Sequence, residues 1–189
     1  MAFWTTVNQG DNDPKRNFRW KIDVGYMTEN ETTSGGVVWW AKKVNKPNFQ
    51  MQESKHVFLN HTFYWPGRVE WQTVSMTLVD PVSPNAVAQT NRIIQASGYR
   101  IPGDSGALET MSKAKSVNTL KHVIIQQIDA DGVTIEEWKL ANPFIKTVKF
   151  GDLDYENDDL TQIEIEFRYD YATCTTDGEL FYDKVNSAG

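Results

Sequence analysis

The chain has 189 residues, of which 40% are apolar and 12% aromatic, and its formal net charge is −6 with a pI of about 5.1. This length fits one domain, and the aromatic content favours β structure. Acidity argues against tight nucleic-acid binding, which needs Lys and Arg to neutralise phosphates. Cys174 is the only cysteine, which excludes an internal disulfide and a disulfide-stapled secreted module. No membrane span or secretory signal is visible, so we expect a cytoplasmic site of synthesis.

The first third of the chain alternates polar connections with strand patterns. Residues 1–16 are rich in Asn, Asp and Gln and predict a flexible N-terminal arm. Residues 17–24 alternate apolar and charged side chains, which indicates a half-buried strand. Residues 28–36 contain Gly and Ser and predict a turn. Residues 37–42 predict a second strand.

The next region is the most aromatic part of the sequence. Residues 49–65 have strand-like composition and predict either one long hairpin arm or two short strands. Pro66-Gly67 predicts a turn. Residues 68–79 predict a strand in which Val74, Met76 and Leu78 face the core.

One helix is expected after this strand. Ser83 is a good N-cap and Pro84 suits the first helical position, while Gly98 suits the position just after the helix end. Residues 100–119 are polar and small, and they fit a loop as well as a helical turn near residues 108–114.

Two strong β signals close the domain. Residues 122–140 predict a hairpin with its turn at Asp131-Gly132, and residues 161–171 alternate almost perfectly with period two. Residues 172–189 predict a polar C-terminal tail. The pattern indicates a mainly β fold, an antiparallel sandwich or barrel with one flanking α-helix, over residues 17–171.

Three blocks in this order resemble a known family. They are GRVEWQTVSMTLVD at residues 67–80, WKLANPF at 138–144, and FGDLDY at 150–155, which is followed by NDDL at 157–160 and RYDY at 168–171. In their order and spacing they resemble the tail tube proteins of T-even-like contractile-tailed bacteriophages. The resemblance spans about residues 17–171.

That resemblance implies a non-enzymatic virion protein without a cofactor. It implies hexameric rings whose neighbouring subunits share a sheet, so that an inner barrel closes and stacked rings form a tube. The implied partners are further copies of the chain, the tail sheath, the baseplate, the tail terminator, and a tape-measure protein and then double-stranded DNA in the lumen. Long terminal segments leave open a specialised terminal or baseplate-proximal ring, and the fold is shared with tailocin and type VI secretion tube proteins.

Two sets of residues are candidate functional surfaces. The polar faces of two strands are candidates for the lumen wall, where carboxylates would repel DNA so that it slides; a solvated outer face is the alternative. These lumen candidates are Glu164, Glu166, Asp170, Thr73, Ser75 and Thr77. The aromatic residues of the 49–65 region are candidates for contacts between rings, with packing on their own domain as the alternative. These inter-ring candidates are Phe58, Phe63, Tyr64 and Trp65.

Other functions find less support in the sequence. His56, His61 and His122 lack a metal-ligand pattern, and the acidic run from Asp152 lacks the Gly and the final Glu of a calcium loop. G-x-S-x-G, P-loop and H-E-x-x-H motifs are absent, so we expect no catalysis. A carbohydrate-binding sandwich that presents tryptophans to sugars is the alternative from another class. Its candidate rings are Trp39, Trp40, Trp65 and Trp71.

Overall fold

Two antiparallel sheets enclose one apolar core, and a third, two-stranded sheet extends away from them. The computed structural model describes residues 14–29, 38, 40–83, 85–103, 109–156, 158–176 and 179–180. The elements in these residues are β1 (Trp20–Val24), α1 (Gly25–Glu29), β2 (Ala41–Val44), β3 (Phe49–Phe58), β4 (His61–Trp71), β5 (Val74–Val79), α2 (Ala86–Ala96), α3 (Lys113–Leu120), β6 (Val123–Ile128), β7 (Thr134–Ala141), β8 (Phe144–Lys149), β9 (Gln162–Arg168), β10 (Tyr171–Thr176) and β11 (Glu179–Leu180). The mainly β, antiparallel fold predicted from the sequence is confirmed.

The four-stranded sheet has the order β2-β5-β9-β8. Its two central strands, β5 and β9, alternate strictly between buried and half-buried residues. Met76 lies opposite Ile165, and Ile165 lies opposite Val148 of β8. Because side chains alternate across a strand, this sheet has one face in the core and one polar face.

The five-stranded sheet has the order β1-β6-β7-β10-β11 and closes the other side of the core. The predicted hairpin is β6–β7, and its turn is held by Asp129 Oδ1, which accepts hydrogen bonds from the backbone N–H groups of Asp131 and Val133. Gly132 adopts a φ of 81°, as the Asp-Gly pattern predicts. Strand β10 begins at Tyr171, so the sheet continues beyond the predicted domain end and the first part of the expected polar tail is a strand.

Two helices of eight or more residues flank the core. Asn85 caps α2, with its side-chain oxygen accepting from the N–H of Ala88 at 2.7 Å, so the prediction of Ser83 as N-cap is wrong. Gly98 follows the helix with a φ of 104°, as predicted. The other of these helices is α3, in a region for which the sequence predicts either a loop or a helical turn near residues 108–114. Ser112 caps it, and Leu120 at its end is buried in the core.

The hairpin formed by β3 and β4 is longer than residues 49–65. Its turn lies at Leu59, which has a φ of 53°, so the prediction of a turn at Pro66-Gly67 is wrong. These two residues lie inside β4, where the register shifts at a bulge. A bulge accepts a proline without an N–H and a glycine whose Cβ would lie 2.9 Å from the Gln52 carbonyl oxygen.

We predict that Ile165→Ala lowers the free energy of unfolding by about 2–5 kcal/mol, because the side chain is fully buried between Met76 and Val148. Ile165→Asp should yield insoluble protein, since it buries an unpaired charge. Urea denaturation of the purified variants measures the loss. Glu166→Ala, one residue away on the polar face, is the control; an equal loss there would show that the faces are assigned wrongly.

Candidate assembly surfaces

The polar face of the four-stranded sheet brings together four of the six lumen candidates. Ser75 lies opposite Glu166, and Thr77 lies opposite Glu164. Directly opposed residues in antiparallel strands share a face, so these four side chains form one patch. Thr73 lies just before β5, in the connection from the hairpin.

The charge of this face differs from the expectation of a negative wall. Lys149 Nζ lies 2.9 Å from Glu164 Oε2, and this hydrogen bond raises the pKa of Lys149. Lys146 Nζ lies 3.9 Å from Glu166 Oε2, and Lys43 of β2 is opposite Thr77. The lysines come from β2 and β8, so inspection of the single strand β9 missed them. The face therefore carries mixed charge.

Asp170 belongs to a different part of the molecule. It follows the end of β9, and its carboxylate accepts hydrogen bonds from Lys113 Nζ at 2.7 Å and Asn142 Nδ2 at 2.8 Å. These two donors lower the pKa of Asp170. Asp170 thus links α3 to the turn between β7 and β8 and is separate from the patch around Glu164 and Glu166.

The hairpin of β3 and β4 is exposed at every position from Phe49 to Glu70. Apart from its root, the hairpin is not covered by the rest of the described chain, which argues against packing of its aromatic residues on their own domain. Eight large apolar side chains on it are at least half exposed: Met51, Val57, Phe58, Leu59, Phe63, Tyr64, Trp65 and Val69. A monomer in water rarely leaves so much contiguous apolar surface uncovered, so this surface indicates an interaction site.

Cross-strand register divides the inter-ring candidates between the two hairpin faces. Phe58 pairs with His61, His56 with Phe63, and Ser54 with Trp65. Phe58, Phe63 and Trp65 therefore share one face, and the Phe63 and Trp65 rings are 6.4 Å apart. Tyr64 pairs with Lys55 and lies on the other face. Both faces of the hairpin thus present apolar area.

The root of the hairpin is fixed to the core by aromatic packing. The centroid of the Trp71 ring lies 5.2 Å from the centroid of the Phe49 ring and 5.9 Å from that of the buried Tyr169 ring. The N–H of Gln72 donates to the carbonyl of Asn48 at 2.9 Å. The arm is therefore exposed along its length but anchored at its base.

A buried carboxylate adds a second anchor beside this root. Glu136 of β7 is only 7% exposed and accepts hydrogen bonds at 2.5 Å from Lys15, Lys46 and the Trp138 indole. Burial by itself raises the pKa of Glu136, but the donors outweigh it and lower that pKa to about 2. Lys46 lies three residues before the start of β3, and Lys15 belongs to the N-terminal segment. Glu136 thus ties both segments to the five-stranded sheet.

The described tryptophans among the sugar-binding candidates do not lie together on one surface, since only Trp65 is exposed, on the hairpin. Trp40 is buried in the core and Trp71 packs at the hairpin root, while Trp39 lies outside the described residues. Within the residues that the structure describes, no three His, Cys, Asp or Glu side chains are grouped to hold a metal ion. No helix in that part of the chain has the length and apolarity for crossing a membrane.

Solved structures show which class of protein has this fold. A chain of the PVC sheath/tube terminator of an extracellular contractile injection system matches with a TM-score of 0.63 and 13% identity, over 88% of this chain and 99% of that chain. A chain of the PVC sheath-tube complex matches with 0.61 and 13%, over 91% and 99%. A chain of the anti-feeding prophage tube-terminating cap matches with 0.59 and 16%, over 93% and 99%.

The architecture is therefore the tube-protein fold of contractile injection systems, to which the phage tail tube resemblance pointed. No protein-family model and no curated protein sequence matches the chain.

We predict that the pH dependence of stability reports the Glu136 anchor. The pKa of Glu136 is lowered from 4.5 to about 2, so the stabilisation is complete above the unfolded pKa and is lost as pH falls toward 2. The free energy of unfolding should drop by up to about 3 kcal/mol over that interval. In Glu136→Gln, the free energy of unfolding should depend less steeply on pH, as measured by urea denaturation at a series of pH values. The same pH dependence in Glu136→Gln and in the unaltered chain would contradict the stabilising role of the Glu136 carboxylate.

Proposed function

We propose that this chain is the tube subunit of a contractile tail, assembled as stacked hexameric rings around a channel, with no catalytic role. The observation that carries the proposal is the hairpin of β3 and β4, which leaves its apolar residues exposed although the core of the domain is complete without it. An uncovered apolar arm on a well-packed domain is explained by contact with another copy. The tube-protein fold supports the same function.

Ring closure follows from the two free edges of the four-stranded sheet. Among the described residues, strands β2 and β8 each pair with one neighbouring strand, so each leaves a row of backbone groups without sheet partners there. All adjacent strands in this sheet are antiparallel, so rotation about a ring axis brings β8 of one copy antiparallel to β2 of the next. A closed barrel removes these edges, which otherwise promote irregular aggregation.

The polar face of this sheet would then line the channel. Its other face is committed to the core, so only the side with Ser75, Thr77, Glu164 and Glu166 is free to face a lumen. Lys146 and Lys149 partly neutralise the carboxylates. We propose a wetted wall of mixed charge along which a tape-measure protein and then double-stranded DNA pass without sequence-specific contact.

The proposed location is the tail of a contractile phage virion, after assembly in the host cytoplasm, with the sheath outside the tube and the baseplate and terminator at its ends. A tube of a related injection system has the same physical basis. A terminal ring is a second candidate, since two of the matched chains come from structures of a sheath/tube terminator and of a tube-terminating cap. Electron microscopy of the purified chain distinguishes a tube subunit from a terminal ring: a tube subunit forms long tubes, whereas a terminal ring protein forms single rings only.

Strand addition at the β2 edge should be sensitive to proline at Lys42. The register of β2 with β5 shifts between Ala41 and Lys43, which leaves Lys42 outside the ladder. We predict that Lys42→Pro folds, because proline is tolerated at a bulge, but fails to form rings. Circular dichroism, light scattering and electron microscopy test this. Lys42→Ala should form rings normally; normal rings from Lys42→Pro would contradict closure at this edge.

The aromatic face of the hairpin should control stacking and not folding. We predict that the triple variant Phe58→Ser, Phe63→Ser, Trp65→Ser keeps the melting temperature, because these side chains are exposed, and still forms rings that do not stack. Tyr99→Ser, at another half-exposed position, should leave tube length unchanged. Tubes of normal length from the triple variant would show that these rings are not the contact between layers.

A further inference from the structure

The connection between β8 and β9, residues 150–161 and hereafter the acidic loop, carries an exposed surface that the ring and channel do not use. Five of its residues are carboxylates and none is basic: Asp152, Asp154, Glu156, Asp158 and Asp159. It also exposes apolar side chains, with Leu153 at 89%, Leu160 at 68% and Tyr155 completely exposed. Acidic and apolar groups projecting together suit a partner that is itself basic and aromatic.

The base of the acidic loop is held closely against the sheet. Gly151 has a φ of 78°, and a Cβ there would lie 2.7 Å from the Gln162 carbonyl oxygen. Above this base the loop borders a cleft of about 560 Å³, lined by Gly151–Tyr155 and Asp159–Gln162. The cleft is large enough to admit an aromatic side chain.

The acidic loop and the hairpin lie at opposite ends of the four-stranded sheet. The hairpin leaves after Val44 and returns before Val74, whereas the loop leaves after Lys149 and returns at Gln162. The register places Val74 opposite Phe167, at the end of β9 far from Gln162. When identical rings stack head to tail, the hairpin end of one ring faces the loop end of the next.

The distal half of the hairpin, residues 54–65, has the complementary chemistry. It contains Lys55, His56 and His61 and no carboxylate. It also exposes Phe58, Phe63, Tyr64 and Trp65. Each strand of the hairpin reaches far, since the 10 residues of β3 span roughly 33 Å. The 6 residues of β5 span only about 20 Å of the sheet, so the hairpin is longer than the sheet strand that follows it.

From these four observations we infer that the acidic loop of one copy receives the distal half of the hairpin of a second copy in the adjacent ring. The inference rests on the proposed tube function and specifies the surface on which stacking occurs. Tyr155, Leu153 and Leu160 cover hairpin aromatic rings, and the loop carboxylates face Lys55 and the two histidines. This contact is heterologous, so it repeats from ring to ring without closing on itself.

Site-directed cross-linking tests the contact in the full-length chain. In a Cys174→Ala background, a preparation carrying Tyr155→Cys is mixed with one carrying Lys55→Cys, Val57→Cys or Asn60→Cys, and is then oxidised. At least one pair should form the mixed disulfide, identified by mass spectrometry of the linked peptides. Its yield should exceed the control by about tenfold or more, because a docked pair has a far higher effective concentration.

The control replaces Tyr155→Cys with Asp131→Cys, which lies at the exposed turn between β6 and β7. If none of the three hairpin positions exceeds this control while the unaltered chain forms tubes, the inference is overturned and the proposed function stands. If the unaltered chain forms neither rings nor tubes at high concentration, both are overturned.

Charge reversal provides an independent measurement. Asp152→Lys with Asp158→Lys should give rings that stack into shorter tubes by electron microscopy, and Lys55→Glu with His56→Glu in the same chain should restore tube length. Asp131→Lys should have no effect. Tubes of normal length from the loop variant, or no recovery in the combined variant, would contradict the contact.

Discussion

The pairing of β5 with β9 is the constraint on which the rest of the structure depends. Both strands alternate with period two and lie at the centre of their sheet, so their apolar residues must all enter the core and their polar residues must all leave it. This pairing fixes a polar face before any assembly occurs. It also assigns β2 and β8 to the edges, and it sets the hairpin at one end and the acidic loop at the other.

Stability and assembly are consequently carried by different residues. Most core residues come from the two sheets and the helices, and the hairpin contributes only its root, through the packing of Trp71 on Tyr169. Loss of an exposed aromatic side chain therefore costs little folding free energy, whereas loss of Ile165 leaves a cavity. Glu136 is the exception, since one buried carboxylate both stabilises the sheet and holds Lys46 at the hairpin base.

Sequence patterns predicted the parts of the fold in which a single segment shows a clear alternation of apolar and polar residues or a turn motif. The alternation in β9 and the Asp-Gly turn of β6–β7 needed no other information. Strand β8 and helix α3 were not predicted. In β8, two lysines and a threonine separate the few apolar residues. Helix α3 buries only Ser116 and Leu120, so it has no continuous apolar stripe. The mixed charge of the polar face was missed for a related reason: Lys149 meets Glu164 only once the strand order is known.

The proposed tube function accounts for features that would be faults in a monomer. Free edges, an uncovered apolar hairpin and a carboxylate-rich loop each carry a risk of aggregation or self-repulsion when a domain acts alone. Here they occupy the two edges and the two ends of one sheet, so identical copies related by rotation and translation would satisfy each with a different neighbour. Two edges suffice to close a ring, and the hairpin with the opposite loop suffices to extend it. A domain with a single such surface would dimerise and stop, whereas two edges and two complementary ends give the proposed tube.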